Sequence, residues 1–513
     1  MEASTSQDPI RPEQEYDTEA EPSVSPIDQL PNEILARIFE YCCPVDIGHR
    51  DPAFMRVRSR WRSVAISSPH VWTSVKLNLV PTRQYSFSGR VPSHRIGENL
   101  PKPRLLALHL GYSKDLPLVM VHISLADDRR QQVINCLQMI IQHASRWTSL
   151  QLSFHGRWND LGVDGLETVE YLNMIQTLPL LQDFICLTKE NPSQHRFSFP
   201  GILEKVARGK LQKLVLARFN SSGVARGFSL PSVTQLVLHL DMQSDDIFSV
   251  VRYCPRLVHL KYIIDGLENR SGLGARANSG SILRNLESYP QRSQTVKTLQ
   301  IKLGEWVRGH TGQLFPRLIK SLNLPALTSM TISTSKQFRF TEMWPAQEFN
   351  DFFARSGCDL EALKLNSVSL ADYQVMYLLL KTPRLLDLSI REIPRSPQNP
   401  NDEEGLDFPV TRFLLRELRI LHDVETHRPL VPKLKRLRLS VNASVKESSG
   451  EVAFDEGTFM QMVSSRSLPP VPQQDTVGLS EEDMSIVPPS LDDSNRCLKD
   501  VKLRVYERTK KRN

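Results

Sequence analysis

With 513 residues, 40% of them hydrophobic and 24% charged, the chain has an ordinary globular balance and enough length for a sizeable core. A net charge of +7 over that length, with a pI near 9.0, suits acidic partners and is too mild to point to nucleic acid. Seven cysteines without C-x-x-C spacing, mostly among apolar residues, argue against a disulfide framework or a zinc site, and no apolar run approaches the roughly 18 residues of a membrane span.

Residues 1–25 are rich in Glu, Ser, Pro and Gln and predict a disordered acidic tail; their acidity excludes a secretory signal, so cytoplasm or nucleus is expected. A helix is predicted from Pro31, with Glu33 in its first turn and Ile34, Leu35, Ile38, Phe39 and Cys42 on one apolar face. A Pro/Gly loop (Pro44, Gly48, Pro52) interrupts the pattern. A second helix is predicted near 53–67, with Phe54, Val57, Trp61, Val64 and Ala65 on one side; Ser68-Pro69 ends it and Val71-Trp72 follow as anchors. A segment this short buries too little surface to stand easily alone, so it should lean on the next domain, a partner or both. It is either a dedicated binding motif or a plain helical cap.

The run Leu30-Pro31-x-Glu33-Ile34-Leu35-x-x-Ile38-Phe39 resembles the opening helix of the F-box. The later Val57-x-x-x-Trp61-Arg62-x-Val64-Ala65 and Ser68-Pro69-x-Val71-Trp72 are similar to its second half, in the fungal type with a variable loop between halves. Arg58 stands where many such motifs carry cysteine. The resemblance covers residues 26–75 closely. It implies a Skp-family adaptor as partner and, through it, cullin and RING subunits of a ubiquitin ligase. It also implies an adaptor-binding set of Leu30, Pro31, Ile34, Leu35, Ile38, Phe39, Val57, Trp61 and Trp72. Within that set Leu30, Pro31, Ile34 and Leu35 are the expected main contact, and Trp61 and Trp72 mostly support the motif's own packing.

From residue 103 a pattern of apolar, two residues, apolar, one residue, apolar recurs. It runs from Leu105-Leu108-Leu110 and Trp147-Leu150-Leu152 through Leu360-Leu363-Leu365, Leu415-Leu418-Ile420 and Leu434-Leu437-Leu439 to Leu498-Val501-Leu503. Its alternating end predicts a short strand, and a Pro often marks a turn just before it. Helix-patterned stretches lie between copies, at 127–144, 244–253 (Ser244 capping), 345–355, 369–380 (capping-box spacing of Ser369 and Asp372) and 454–463. Helix alternating with strand implies parallel strands. The fold expected is therefore α/β: the helical F-box motif at 26–75, then an irregular leucine-rich-repeat α/β solenoid with parallel short strands over 76–505, and a basic tail at 506–513. Central anchors lie 19 to 42 residues apart, with one gap of 64, so loop insertions are expected near 264–295, 391–409 and 466–495.

No catalytic constellation is present: no H-E-x-x-H, no phosphate loop, no G-x-S-x-G elbow. His422 and His427 are five apart, and His109, His239 and His259 read as core or surface histidines. Neither metal nor cofactor is expected, and the protein is expected to act as a receptor rather than an enzyme. Positions flanking the central anchors should face outward. They are mostly neutral early (Ala107, His109, Ser149, Gln151, Ser153, Ile185, Val215). They turn basic later (Lys302, Lys364, Arg391, Arg419, Arg436, Arg438, Lys502, Arg504), interrupted by Asp387, Glu417 and Asp500. Lys364, Arg391, Arg419, Arg436, Arg438, Lys502 and Arg504 are thus the candidate substrate-binding residues, for an acidic or phosphorylated protein segment. The alternative function is an interaction scaffold without a ligase.

Overall fold

The computed structural model describes residues 25–42, 52–79, 102–125, 131–154, 174–188, 200–207, 209–217, 228–240, 247–264, 291–304, 314–334, 344–368, 370–392, 408–420, 430–442, 454–467 and 498–506. The chain opens with a 3-10 turn at Pro26–Gln29 and helix α1 (Asn32–Cys42). A second 3-10 turn (Ala53–Arg56), helix α2 (Ser59–Ser67) and a third turn (Pro69–Trp72) follow. The single helix predicted near 53–67 is therefore broken: Arg58 is extended, with φ −148° and ψ 157°, and sets off a new helix start.

The rest is mixed α/β. Its strands are β1 (Ser74–Asn78), β2 (Met120–Leu125), β3 (Ser149–Phe154), β4 (Asp183–Thr188), β5 (Lys213–Leu216), β6 (Gln235–Leu240), β7 (His259–Ile264), β8 (Gln291–Arg292), β9 (Thr298–Leu303), β10 (Leu322–Asn323), β11 (Ser329–Thr334), β12 (Ala362–Asn366), β13 (Asp387–Arg391), β14 (Arg436–Asn442) and β15 (Asp500–Tyr506). Thirteen of them form one parallel sheet in chain order, while β8 and β10 pair apart. Every second residue is apolar and turned inward, because side chains alternate along a strand. One inward row runs Val75, Val121, Leu150, Phe184, Leu214, Leu236, Leu260, Leu299, Met330, Leu363, Leu388, Leu437, Val501 in unbroken register.

The intervening helices are α3 (Pro103–Tyr112), α4 (Gln131–Gln142), α5 (Pro200–Ala207), α6 (Leu314–Ser321), α7 (Ala346–Ser356), α8 (Asp372–Leu380), α9 (Arg412–Glu417) and α10 (Glu456–Ser467). Two expected strand copies are helices instead. Leu105-Leu108-Leu110 lies in α3, where Pro103 opens the helix and Leu106 and Leu110 are buried. Leu415 lies in α9, and Leu418 and Ile420 follow its end. The missing strands are β1 and β2, whose anchors Trp72-Val75-Leu77 and Leu118-Val121-Ile123 carry the same spacing. The stretch near 244–253 forms a 3-10 helix at Ile247–Tyr253, and its expected cap, Ser244, lies outside the described residues. Ser369 also lies outside them; α8 is capped instead by Gln374 Oε1 accepting from the Ala371 N–H at 2.9 Å. The insertion expected from 466 begins later, since Arg466 is a buried residue of α10; residues 468–497 lie outside the described set, as do 265–290 and 393–407. No helix among the described residues is long and apolar enough to cross a membrane.

Two apolar cores result. The large one runs from Val75 to Met462. The small one holds Leu35, Ala36, Phe39, Phe54, Val64, Ala65, Val71 and Trp72. Trp72 bridges them, its ring 5.2 Å from that of His109 and 5.0 Å from that of Tyr112 on α3. Helix ends leave carbonyls without intrahelical partners. Three arginines donate to carbonyls at or just after such ends. Arg146 donates to Leu116 O after α3, Arg355 to Lys320 O and Leu322 O at the end of α6, and Arg466 to Leu418 O after α9. Arg355 and Arg466 thus tie down the C-terminal end of the helix before their own, and Arg146 ties down the turn that follows α3.

Candidate functional site

The apolar residues of the N-terminal unit separate into two groups. Leu35, Ala36 and Phe39 face inward from α1; Phe39 stacks on Phe54 at 4.6 Å and lies 5.5 Å from Trp61. Burial removes Leu35, Phe39 and Trp72 from any contact surface: they are 0%, 1% and 3% exposed. Ile34, Ile38 and Tyr41 are exposed instead, at 47%, 37% and 83%. Their spacing of four and then three places them in one stripe of α1. Val57 is also exposed, Pro31 is exposed at the helix start, and Leu30 and Trp61 are half-buried against the small core. Of the nine expected adaptor-contacting residues, Pro31, Ile34, Ile38 and Val57 are therefore open to a partner, and Leu30 and Trp61 partly so. Tyr41 is an addition that its place three residues beyond Ile38 signals in the sequence.

This stripe is held by polar ties from α2. Arg60 donates to Leu30 O at 2.6 Å and to Asn32 Oδ1 at 3.0 Å, fixing the start of α1. Arg62 Nε donates to Met55 O at 2.9 Å, and Trp72 Nε1 to Ala65 O at 2.7 Å. Beside α1 and α2 lies an open pocket of about 560 Å³ with a mixed lining, in which Asn32, Arg37 and His70 meet Ala36 and Val64.

The second candidate surface is the outward face of β12 to β15. Parallel register sets its residues in three rows. The row nearest the strand starts holds Ala362, Asp387, Arg436 and Asp500. The middle row holds Lys364, Ser389, Arg438 and Lys502, and the last Asn366, Arg391, Ser440 and Arg504. Arg436 Nε lies 3.1 Å from Asp387 Oδ2, and Arg438 Nη2 lies 3.3 Å from Asp500 Oδ2. These two arginines are thus compensated within the chain. Lys364, Arg391, Lys502 and Arg504 make no ion pair among the described residues. Arg419 does not join this face, because it follows helix α9 rather than sitting on a strand. Ala107 and His109, expected on the same outward face, lie on α3. His109 is buried there, Nε2 is 3.0 Å from Ser74 O, and burial pushes its pKa down to about 4.

Burial raises the thiol pKa of Cys136, Cys186, Cys254 and Cys358, to about 11 or 12, so these residues act as small apolar fillers rather than nucleophiles. No protein-family model matches this chain, and no curated protein matches it.

Proposed function

We propose that this protein is the substrate-recognition subunit of a Skp-cullin-F-box ubiquitin ligase. Residues 26–75 act as the F-box and dock a Skp-family adaptor. The strand array acts as an irregular leucine-rich-repeat domain that receives a protein substrate. The observation that carries this reading is the division of one motif into two faces. Its F-box-like residues Leu35, Phe39, Val64, Ala65, Val71 and Trp72 close a small core, while Ile34, Ile38 and Tyr41 remain as an open apolar stripe. A plain cap has no need of such a stripe, since exposed large apolar side chains in a row mark contact surfaces. Amphipathic helices dock through anchors at this spacing.

The chain would contribute no catalytic group. Its part would be to hold a substrate near a charged ubiquitin carrier, raising effective concentration. Capture of the adaptor and cullin by the full-length chain tests this. Ile34→Glu with Ile38→Glu should lower adaptor capture more than tenfold, because a charge on each central anchor loses contact and buries without a partner. Leu30→Ala with Pro31→Ala should weaken it less, since Leu30 is already partly used inside the unit. Wild-type protein that captures substrate-like partners but no cullin would favour the plain interaction scaffold.

A further inference from the structure

The outward face of β12 to β15 carries more structure than a scatter of surface charge. Its two carboxylates, Asp387 and Asp500, lie in the same row, and both are engaged by Arg436 and Arg438. The middle and last rows hold Lys364, Arg438, Lys502, Arg391 and Arg504 with no carboxylate among them; Ser389, Asn366 and Ser440 fill the remaining places. The next carboxylate along β13, Glu392, is buried and accepts from Asn442 N at 2.8 Å and Asn442 Nδ2 at 3.2 Å. On these four strands the middle and last rows therefore carry positive charge without a carboxylate, and four of the five cations there lack an ion-pair partner among the described residues.

The spacing of these cations selects a shape. Neighbouring strands lie about 4.8 Å apart. Lys364 on β12 and Arg438 on β14 are thus separated by about 10 Å across the sheet, as are Arg391 on β13 and Arg504 on β15. A chain extended in the polyproline-II form rises about 3.1 Å per residue with three residues per turn, so side chains three apart share one face at about 9 Å. We infer that the middle and last rows of β12 to β15 bind an extended acidic segment of a partner protein, crossing the strands, with anionic side chains about three residues apart. Carboxylates and phosphorylated hydroxyls share the chemistry required, which is a compact anion facing lysine and arginine donors. Only the description of that partner as a ubiquitylation substrate rests on the function proposed above.

The test is direct binding of labelled peptides to the purified full-length chain, read by fluorescence anisotropy. Four short extended peptides are compared: glutamate at every third position, phosphoserine at the same positions, the same number of glutamates bunched together, and glutamine in their place. A single-stranded oligonucleotide is the fifth ligand. Every-third acidic peptides should bind at least about tenfold more tightly than the glutamine peptide and weaken steeply with added salt. The bunched peptide should bind less well than its spaced counterpart. The glutamate and phosphoserine arms identify the anion read. Lys502→Glu with Arg504→Glu should abolish the preference, whereas the charge-matched pair Arg416→Glu with Arg419→Glu on the helix side should not. If the first pair does not fold, Lys502→Gln with Arg504→Gln serves, with a smaller loss expected. Equal binding of the glutamine peptide, tighter binding of the oligonucleotide, or equal loss in both variant pairs would overturn the inference. Adaptor capture is read separately through α1, so loss of either result leaves the other standing.

Discussion

Two buried basic side chains show how single residues set the conditions under which this fold is stable. His109 is 4% exposed and packs its ring against Trp72. Burial lowers its pKa from 6.5 to about 4, against the opposing pull of hydrogen bonds to the backbone of Ser74 and Trp72. The unfolded chain therefore takes up a proton near pH 6.5 that the folded chain refuses until about pH 4. Stability from this group is complete above pH 6.5 and is lost as pH falls toward 4, by about 3 kcal/mol in all. His109→Gln should remove that pH dependence. Denaturation of both proteins at pH 7 and pH 4.5 measures it, and equal losses in the two would refute the assignment. Arg466 behaves differently. It donates to Leu418 O at 2.5 Å, Leu430 O at 2.8 Å and Val431 O at 3.1 Å. Its pKa falls only to about 10, so it stays charged through neutral pH. Val431, buried and β-branched, sits at φ 49°, a conformation such residues rarely adopt. Arg466→Met should cost about 3–5 kcal/mol through stranded carbonyls, with no change between pH 6 and 8. Arg466→Lys should recover little, because one ammonium cannot span three acceptors held by a planar fork.

At the scale of elements, most strands were legible because Leu-x-x-Leu-x-Leu combines a turn-side anchor with period-2 alternation, as in Leu211-Leu214-Leu216. The same letters misled at Leu105-Leu108-Leu110. A separation of three also fits a helical face, and Pro103 together with the Leu-Leu-Ala-Leu run tips the balance to helix. A strand expected at Leu105-Leu108-Leu110 leaves no separate place for β2 at Leu118-Val121-Ile123, and β1 is hidden because its first anchor, Trp72, also serves the helical motif. In α1 the sequence indicated an apolar face but not where that face divides into core and surface. Leu35 and Ile34 are adjacent letters whose directions on a helix differ by about 100°. Loss of an inward anchor should damage the array locally, since each strand of the sheet pairs only with its neighbours. Leu388→Ala should cost about 2–5 kcal/mol. Hydrogen exchange should rise in β12, β13 and β14 and in α8, while β3 to β5 keep their protection. A uniform rise across the sheet would mean that the array unfolds as one cooperative unit.

At the scale of the whole molecule, the helical unit and the sheet are built into each other. The chain passes from Trp72, in the small core, to Val75, in the large one, within three residues. β1 pairs with β2 along its whole length. Trp72 contacts Phe54 on one side and His109 and Tyr112 of α3 on the other, so the small core closes on residues more than thirty positions downstream. A unit that depends on α3 in this way carries its apolar stripe at a fixed attitude to the strands. That suits the receptor role proposed above: a rigid link would set the distance between an adaptor on α1 and a substrate on the strands, whereas a flexible one would dilute it. The dependence is testable by excision. Residues 26–79 alone bury one small cluster and lack the α3 partners of Trp72, and a segment of this size is marginal without support. They should give no cooperative thermal transition. Residues 26–154 restore α3, β2 and β3 and should recover cooperative unfolding together with fluorescence from a shielded Trp72. In that longer fragment Tyr112→Ala should expose Trp72 and lower the melting temperature by several degrees, because it removes a ring 5.0 Å away. A cooperative transition in residues 26–79 by themselves would show that the helical unit is an independent domain, and the fixed attitude argued here would have to be abandoned.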